Sequence, residues 1–398
     1  MKITARASQI APSLTLEITA QAKKLKSEGR DVVSFGAGEP DFNTPEYIRN
    51  AAKESMDKGL IKYTPASGLV PLKQVICDKL EKDNGLKYAP SDIVVSNGAK
   101  HALYNAMQAI IEDGDEVIIP APFWLTYPEL VKLAGGIPVY VYTKKENGYK
   151  MTAEELKNAI TPKTKAIVLN NPNNPTGSVY SEAEIRAIAE VVEPTDIAVI
   201  SDEIYEMLNY TGKPIYSIAQ YSEKMKSNTI IVNGVSKSYA MTGWRIGFTA
   251  CDTAVAKAIS SMQSHMTSNP NTIAQYATIS AYTDEAGEQF IAEMHESFDR
   301  RRKLICAELD KTGIPYIKPE GAFYVFLDIS GLIGKKYNGV AVESPLAFAK
   351  ILLSDYDVAV IPCESFGNDV SIRLSYAISD ADIVKGVTRI GNFVSKLN

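Results

Sequence analysis

The 398-residue sequence predicts an α/β fold: a mainly parallel sheet with helices on both faces, followed by a smaller α+β domain. Three observations predict it. From about Tyr47 to Tyr282 helical patterns alternate with short β-rich runs, which is how a parallel sheet with crossover helices reads. Several of those runs are apolar throughout rather than alternating, as strands covered on both faces must be. The length also exceeds what one compact core usually fills, so two domains around one cleft are expected.

The elements follow in order. Ile93-Val94-Val95, Glu116-Val117-Ile118-Ile119, Ala166-Ile167-Val168-Leu169, Ile197-Ala198-Val199-Ile200 and Thr229-Ile230-Ile231-Val232 are the expected central strands. Ser96-Asn97-Gly98-Ala99-Lys100 ends the first of them and begins a helix. Beyond Phe290 the pattern becomes a long charged helix containing Asp299-Arg300-Arg301-Arg302-Lys303, then Phe323–Leu327, a further helix and Val370–Leu374. The charge run reads as a solvated helix face. No internal repeat and no Ser/Gly- or Pro-rich tether appears, so the parts pack closely. The expected division is 1–45, contributing to the small domain, 46–285, the large domain, and 286–398, the rest of the small domain.

Composition narrows the function. Hydrophobic content of 45% and charged content of 22% are ordinary for a dense globular protein and speak against disorder. A net charge of −5 without a long basic run excludes nucleic acid and acidic membranes as natural partners and points to a small substrate. The Met1–Arg6 segment has no apolar signal core, and no window approaches the roughly 18 apolar residues of a spanning helix; a cytoplasmic location is expected. Cys77, Cys251, Cys306 and Cys363 are scattered and only three histidines occur, so neither a metal site nor a disulfide scaffold is expected. The cysteines read as reduced, buried thiols.

The chemistry gathers after the last central strand, in Val235-Ser236-Lys237-Ser238-Tyr239-Ala240-Met241-Thr242-Gly243-Trp244-Arg245-Ile246-Gly247. Its polar groups emerge at a strand's carboxyl end, where open α/β sheets bind ligands. A lysine among small residues loses solvation and shifts toward the neutral amine, the form that attacks an aldehyde; Lys237 fits. Arg245, flanked by Gly243 and Gly247, offers a planar fork for a phosphate, and Ser236 adds a hydroxyl. Together they suggest a phosphorylated aldehyde. The backbone amides of Gly98, Ala99 and Lys100 start a helix and suit an anion.

The SKSYAMTGWRIG pattern closely resembles the signature of class I aminotransferases, pyridoxal-5'-phosphate (PLP) enzymes of fold type I. Five ordered motifs carry the resemblance from Gly36 to Arg373. It implies a seven-stranded sheet, PLP bound to Lys237, and transfer of an amino group between an amino acid and a 2-oxo acid. By the same resemblance Asn174, in Asn170–Gly177, and Tyr205 bond the cofactor's phenolic oxygen. Asp202 partners the pyridine nitrogen, Trp124 stacks on the ring, and Gly98, Ala99, Lys100, Ser236 and Arg245 hold the phosphate. Arg373 grips the substrate α-carboxylate, with the Gly38 amide assisting. Tyr63 crosses to the phosphate of a neighbouring subunit, which implies a homodimer.

The details GAGEPDF, SNGAKHALYN and Ser268-Asn269-Pro270-Asn271 look most like the bacterial aspartate aminotransferase branch. That likeness implies that Lys100, assisted by Ser13 and Thr15, reaches the distal carboxylate of aspartate or glutamate. The reaction implied is L-aspartate plus 2-oxoglutarate to oxaloacetate plus L-glutamate. Aromatic, alanine or prephenate specificity, or a PLP-dependent C–S lyase of the same fold, stay open as alternatives. Relatives that use prephenate carry a lysine just before the Pro-Ser pair, where this chain has Ala11.

Overall fold

The computed structural model describes Met1–Asn398 apart from the side chain of Arg6. Its centre is a seven-stranded sheet built from β1 (Ile93–Ser96), β2 (Glu116–Ala121), β3 (Ile137–Tyr142), β4 (Thr164–Asn170), β5 (Ala198–Asp202), β6 (Thr229–Gly234) and β7 (Gly247–Ala250). The spatial order is β1-β7-β6-β5-β4-β2-β3. Only β7 runs against its neighbours; the pairs from β6 to β3 are all parallel. Residues such as Ile118, Ile167, Val199 and Ile231 are wholly buried, because helices cover both faces and neither side of the strand meets water.

Five of the strands coincide with the runs legible in the sequence; β3 and β7 were not anticipated. The helices between them start where the sequence supplies caps. The Ser181 hydroxyl accepts from the Glu184 amide while the Glu184 carboxylate accepts from the Ser181 amide, and Thr152 and Glu155 do the same at Ala153–Ala159. Such reciprocal caps satisfy amides that the first turn leaves orphaned.

A second sheet is antiparallel, in the order Ile361–Pro362, Ser371–Ser375, Tyr324–Asp328, Tyr316–Ile317. It shares a core with the helices Ala286–Asp310, Pro345–Tyr356 and Asp380–Val394. The chain's beginning joins this layer, since Val33–Ser34 pairs in parallel with Val358–Ala359.

The expectation of a solvated charge run needs correction. Arg300 and Lys303 are exposed, but the side chains of Arg301 and Arg302 are each only 11% exposed. Arg301 donates to Asp41 Oδ1 at 2.6 Å, and Arg302 donates to Asp299 and to the Pro319 carbonyl. Long arginine stems pack against apolar surface while the head finds a partner, here the rings of Phe42 and Phe298. All four cysteines are free and buried. Among the described residues no helix is long and apolar enough to cross a membrane.

Candidate active site

Three adjacent parallel strands, β4, β5 and β6, end at Asn170, Asp202 and Gly234. The register sets Asn170 beside Asp202 and Asp202 beside Val232, so three polar turns emerge together. They border a cleft of about 250 Å³ at the carboxyl edge of the sheet, the usual ligand position in such folds. Ser13, Thr15, Gly38, Ala99, Lys100, Trp124, Asn174, Asp202, Tyr205, Ser236, Lys237, Arg245 and Arg373 all line it. Gly98, expected among the phosphate-binding residues, does not line it, and neither does Tyr63, which was expected to serve a neighbouring subunit rather than its own cleft.

Asp202 lies at the cleft floor, 3% exposed. Burial raises its carboxyl to about 6, against the pull of hydrogen bonds from the Tyr127 hydroxyl and the Ile204 amide. Tyr127 Oη donates to Asp202 Oδ2 at 2.7 Å. A carboxylate so enclosed is poised to gain a cationic partner, since an opposite charge restores what desolvation removes.

Lys237 lies in the helical turn Val235–Ser238 that follows β6. Its Nζ donates to the Gly38 carbonyl at 2.5 Å. Burial pushes its amine down to about 8, with Glu39 opposing and Arg245 and Arg373 assisting. A substantial neutral fraction near pH 8 is what a nucleophilic amine requires.

Beside it Arg245 holds a left-handed backbone at φ 58°, an uncommon conformation for a non-glycine residue and one enriched at functional sites. Its guanidinium reaches the Thr242 carbonyl at 3.0 Å and the Asn97 carbonyl at 3.5 Å. Gly98 has φ +87°, and a Cβ there would stand 2.4 Å from Arg245 Nη2. The Gly98 amide is not free as the sequence suggested: it donates to the Ser96 carbonyl at 2.7 Å. Gly98 therefore provides space for Arg245, while Ala99 and Lys100 begin the helix Ala99–Ile110 with amides that have no partner within it. A Cβ at Gly247 would lie 2.2 Å from the Ala99 nitrogen, so only glycine lets β7 pass this helix start.

Arg373 is 2% exposed. Its Nη1 donates to Asn174 Oδ1 at 2.9 Å, and its Cζ sits 4.3 Å from the Tyr324 ring centre. Among the described residues Nε and Nη2 have no partner, an arrangement that native interiors rarely tolerate without a ligand to answer it.

At the other end Lys100 Nζ stands 4.7 Å from the Trp124 ring centre, and burial, then Arg245, lowers its pKa. The Thr15 hydroxyl is buried without a partner among the described residues, and both it and Ser13 line the cleft. Tyr63 does not line this chain's cleft and is 88% exposed.

Of the lining residues that went unrecognised in the sequence, three hold or touch the expected site residues. Tyr127 lies one turn beyond Trp124 and makes an edge contact with it at 5.5 Å; the i, i+3 spacing was the available signal. Asn170, read as part of a turn, anchors it: Oδ1 accepts from the Asn174 amide at 2.8 Å and Nδ2 donates to the Asp202 carbonyl at 3.0 Å. Tyr324, hidden in the apolar run Phe323–Leu327, meets Tyr205 hydroxyl to hydroxyl at 2.9 Å. Its only sequence signal was a polar tip in a buried strand.

The aminotransferase class I and II family matches residues 30–390. The chain belongs to that family. This aminotransferase is 49% identical to an aspartate aminotransferase of Bacillus subtilis, all of both chains being covered. It is 44% identical to an aspartate/prephenate aminotransferase of Cereibacter sphaeroides, covering 98% of each. Among solved structures, the aspartate aminotransferase of Thermus thermophilus with maleate superposes with a TM-score of 0.94 at 39% identity, covering 99% of this chain and 100% of that one.

Proposed function

We propose that this aminotransferase is PLP-dependent and moves the amino group of L-aspartate to 2-oxoglutarate, with Lys237 as the catalytic residue. The observation that carries the reading is one cleft that unites the lowered Lys237 amine, the buried Asp202 carboxylate and the two unpartnered nitrogens of Arg373. The residues fit the cofactor. Gly98 leaves room for Arg245, which with Ser236 and the Ala99 and Lys100 amides suits a phosphate, and Asp202 suits a pyridinium nitrogen. When bound, the cofactor supplies an aldehyde for Lys237 and a ring that takes up the electrons of the substrate's α-carbon.

The protein's own residues supply orientation and proton handling. Arg373 takes the α-carboxylate in a bidentate pair, and fixing that group aims the α C–H bond. The Lys237 amine would hold the α-proton at Nζ. Asn174 and Tyr205 supply side-chain polar groups on the side of the cleft where Asn174 touches Arg373. Trp124 covers the cleft with an apolar plane, and Lys100, Thr15 and Ser13 receive the distal carboxylate. Relatives named aspartate aminotransferase, and one solved with maleate, a four-carbon dicarboxylate, favour that substrate class. Prephenate use is not favoured: Ala11, whose amide donates to Glu129 Oε2 at 3.2 Å, stands where relatives that use prephenate carry a lysine.

A homodimer accompanies the reading. Met56, Leu60, Ile61 and Tyr63 are exposed in one short segment, and clustered exposed apolar residues mark interfaces.

Lys100→Ala tests the substrate. Losing one charge-assisted bond of about 1.5–3 kcal/mol lowers kcat/KM for aspartate about 10- to 100-fold and leaves alanine nearly unchanged. Equal losses on both amino acids would remove the dicarboxylate reading.

A further inference from the structure

Behind the cleft, the turn bearing Asp202 and Tyr205 is tied to the strand that leads into Lys237. The tie is Glu206. Its backbone lies in the turn, where the Glu206 amide donates to the Glu203 carbonyl at 3.0 Å and the Leu208 amide to the Tyr205 carbonyl at 2.8 Å. Its Oε1 accepts from Lys79 Nζ and, at 2.6 Å, from Asn233 Nδ2; its Oε2 accepts from Asn84 Nδ2 at 3.3 Å. Asn233 Oδ1 in turn accepts from the Gly234 amide at 2.7 Å. Lys79 also donates to Asn84 Oδ1 at 3.0 Å and lies 3.6 Å from Asp83.

None of Glu206, Asn233 and Lys79 lines the cleft. The Lys79 and Glu206 side chains are 7% and 8% exposed, so they are largely withdrawn from solvent and stand outside the substrate cleft. A buried ion pair is a poor source of stability, because desolvation cancels most of its attraction and apolar replacements are often neutral. Its position is more telling. The β5–β6 register ends at Asp202 and Val232, and the Glu203 amide makes one more bond to the Val232 carbonyl at 2.9 Å. Beyond it the Glu206–Asn233 bond carries the connection on, from the residue after Tyr205 to the residue four before Lys237.

We propose that Glu206, acting through Asn233, is a positioning residue that fixes the Lys237 turn against the Asp202–Tyr205 turn. The proposal rests on the PLP reading above. Displacements of about 1 Å by groups remote from the chemistry cost on the order of 10²-fold in rate, so the tie should be visible in catalysis.

Two double variants of the full-length, PLP-loaded enzyme separate position from charge. Lys79→Met with Glu206→Gln removes both charges but leaves an amide oxygen to accept from Asn233. Lys79→Met with Glu206→Leu removes that acceptor as well. The readouts are the pH midpoint of the Schiff-base absorbance, the single-turnover rate with saturating aspartate, KM and the melting temperature. The Gln variant is expected to keep the wild-type midpoint and a rate within about threefold. The Leu variant is expected to melt like the Gln variant yet move the midpoint by about half a pH unit or more and lose about 10- to 100-fold in rate, with KM little changed. Asn233→Ala, which spares the Lys79–Glu206 pair, repeats that result should the Leu variant not fold. A wild-type midpoint and rate in the Leu or Asn233 variant overturns the proposal, as do equal losses in the Gln and Leu variants. A wild-type protein without an absorbance band overturns the PLP reading and the proposal with it.

Discussion

Arg373→Lys keeps a positive charge in the cleft and removes the planar fork. In the structure one guanidinium nitrogen is held by Asn174 and two are unpartnered in a site 2% exposed. Those two are available to a carboxylate. At about 1.5–3 kcal/mol for each charge-assisted bond, removing both in Arg373→Ala costs about 3–6 kcal/mol, or about 10²- to 10⁴-fold in kcat/KM. Lysine regains one bond as a point charge without bidentate geometry, which leaves a deficit of about 1.5–3 kcal/mol, or about 10- to 100-fold. Steady-state kinetics with aspartate measures the loss, and the absorbance of bound cofactor checks that loading is equal. Stability should move the other way. The unpartnered nitrogens are a desolvation cost in the ligand-free protein, so Arg373→Met should melt no lower than wild type. Arg373→Lys within about threefold of wild type would refute the reasoning, because the fork would then have no role.

Asp202 and Tyr127 give two further predictions. Since burial raises the Asp202 carboxyl from 3.8 to about 6, the folded cofactor-free protein binds this proton more tightly than the unfolded chain does. The stability it contributes is present below about pH 4 and is lost as pH rises through about 6. Asp202→Asn stays neutral and should therefore raise the melting temperature of the cofactor-free protein at pH 7 relative to wild type, and not at pH 4. Burial pushes Glu203 up to about 7 with the same sign, but it is present in both proteins and drops out of the difference. A wild-type–variant difference that is flat with pH would contradict this. Tyr127→Phe removes the 2.7 Å hydrogen bond to Asp202, so the carboxyl should rise further. Cofactor affinity should weaken about 10- to 100-fold for a lost bond of about 1.5–3 kcal/mol to a charged group; an unchanged Kd by fluorescence titration would exclude that role.

The parts of the fold legible in the sequence were those where one local rule sufficed. β4, β5 and β6 are buried on both faces and read as unbroken apolar runs. β3 escaped because it is the sheet's edge strand, half exposed and carrying Pro138, which edge strands tolerate. β7 is four residues long, starts with glycine and owes its place to antiparallel pairing with β1 and β6. The site divides the same way. Lys237, Asn174 and Asp202 stand in motifs at or just past a strand's end, and Arg245 shares the Lys237 motif just before β7. Tyr324 depends on cross-strand register, which sets Phe326 opposite Arg373 and so brings Tyr324 to the same face. Arg301 and Arg302 read as surface charges because their partners, Asp41 and the Pro319 carbonyl, come from elsewhere in the chain. Glu206 meets Lys79 across 127 positions, a separation that no local pattern reports.

The central claim is that Lys237 holds the cofactor for transamination. Purified protein is mixed with PLP, reduced with borohydride and mapped by peptide mass, beside Lys237→Ala. Unreduced samples are assayed for oxaloacetate from aspartate and 2-oxoglutarate. A pyridoxyl group is expected on Lys237 alone, and oxaloacetate from the wild type but not the variant. A label on another lysine, or oxaloacetate formation that survives in Lys237→Ala, would contradict it.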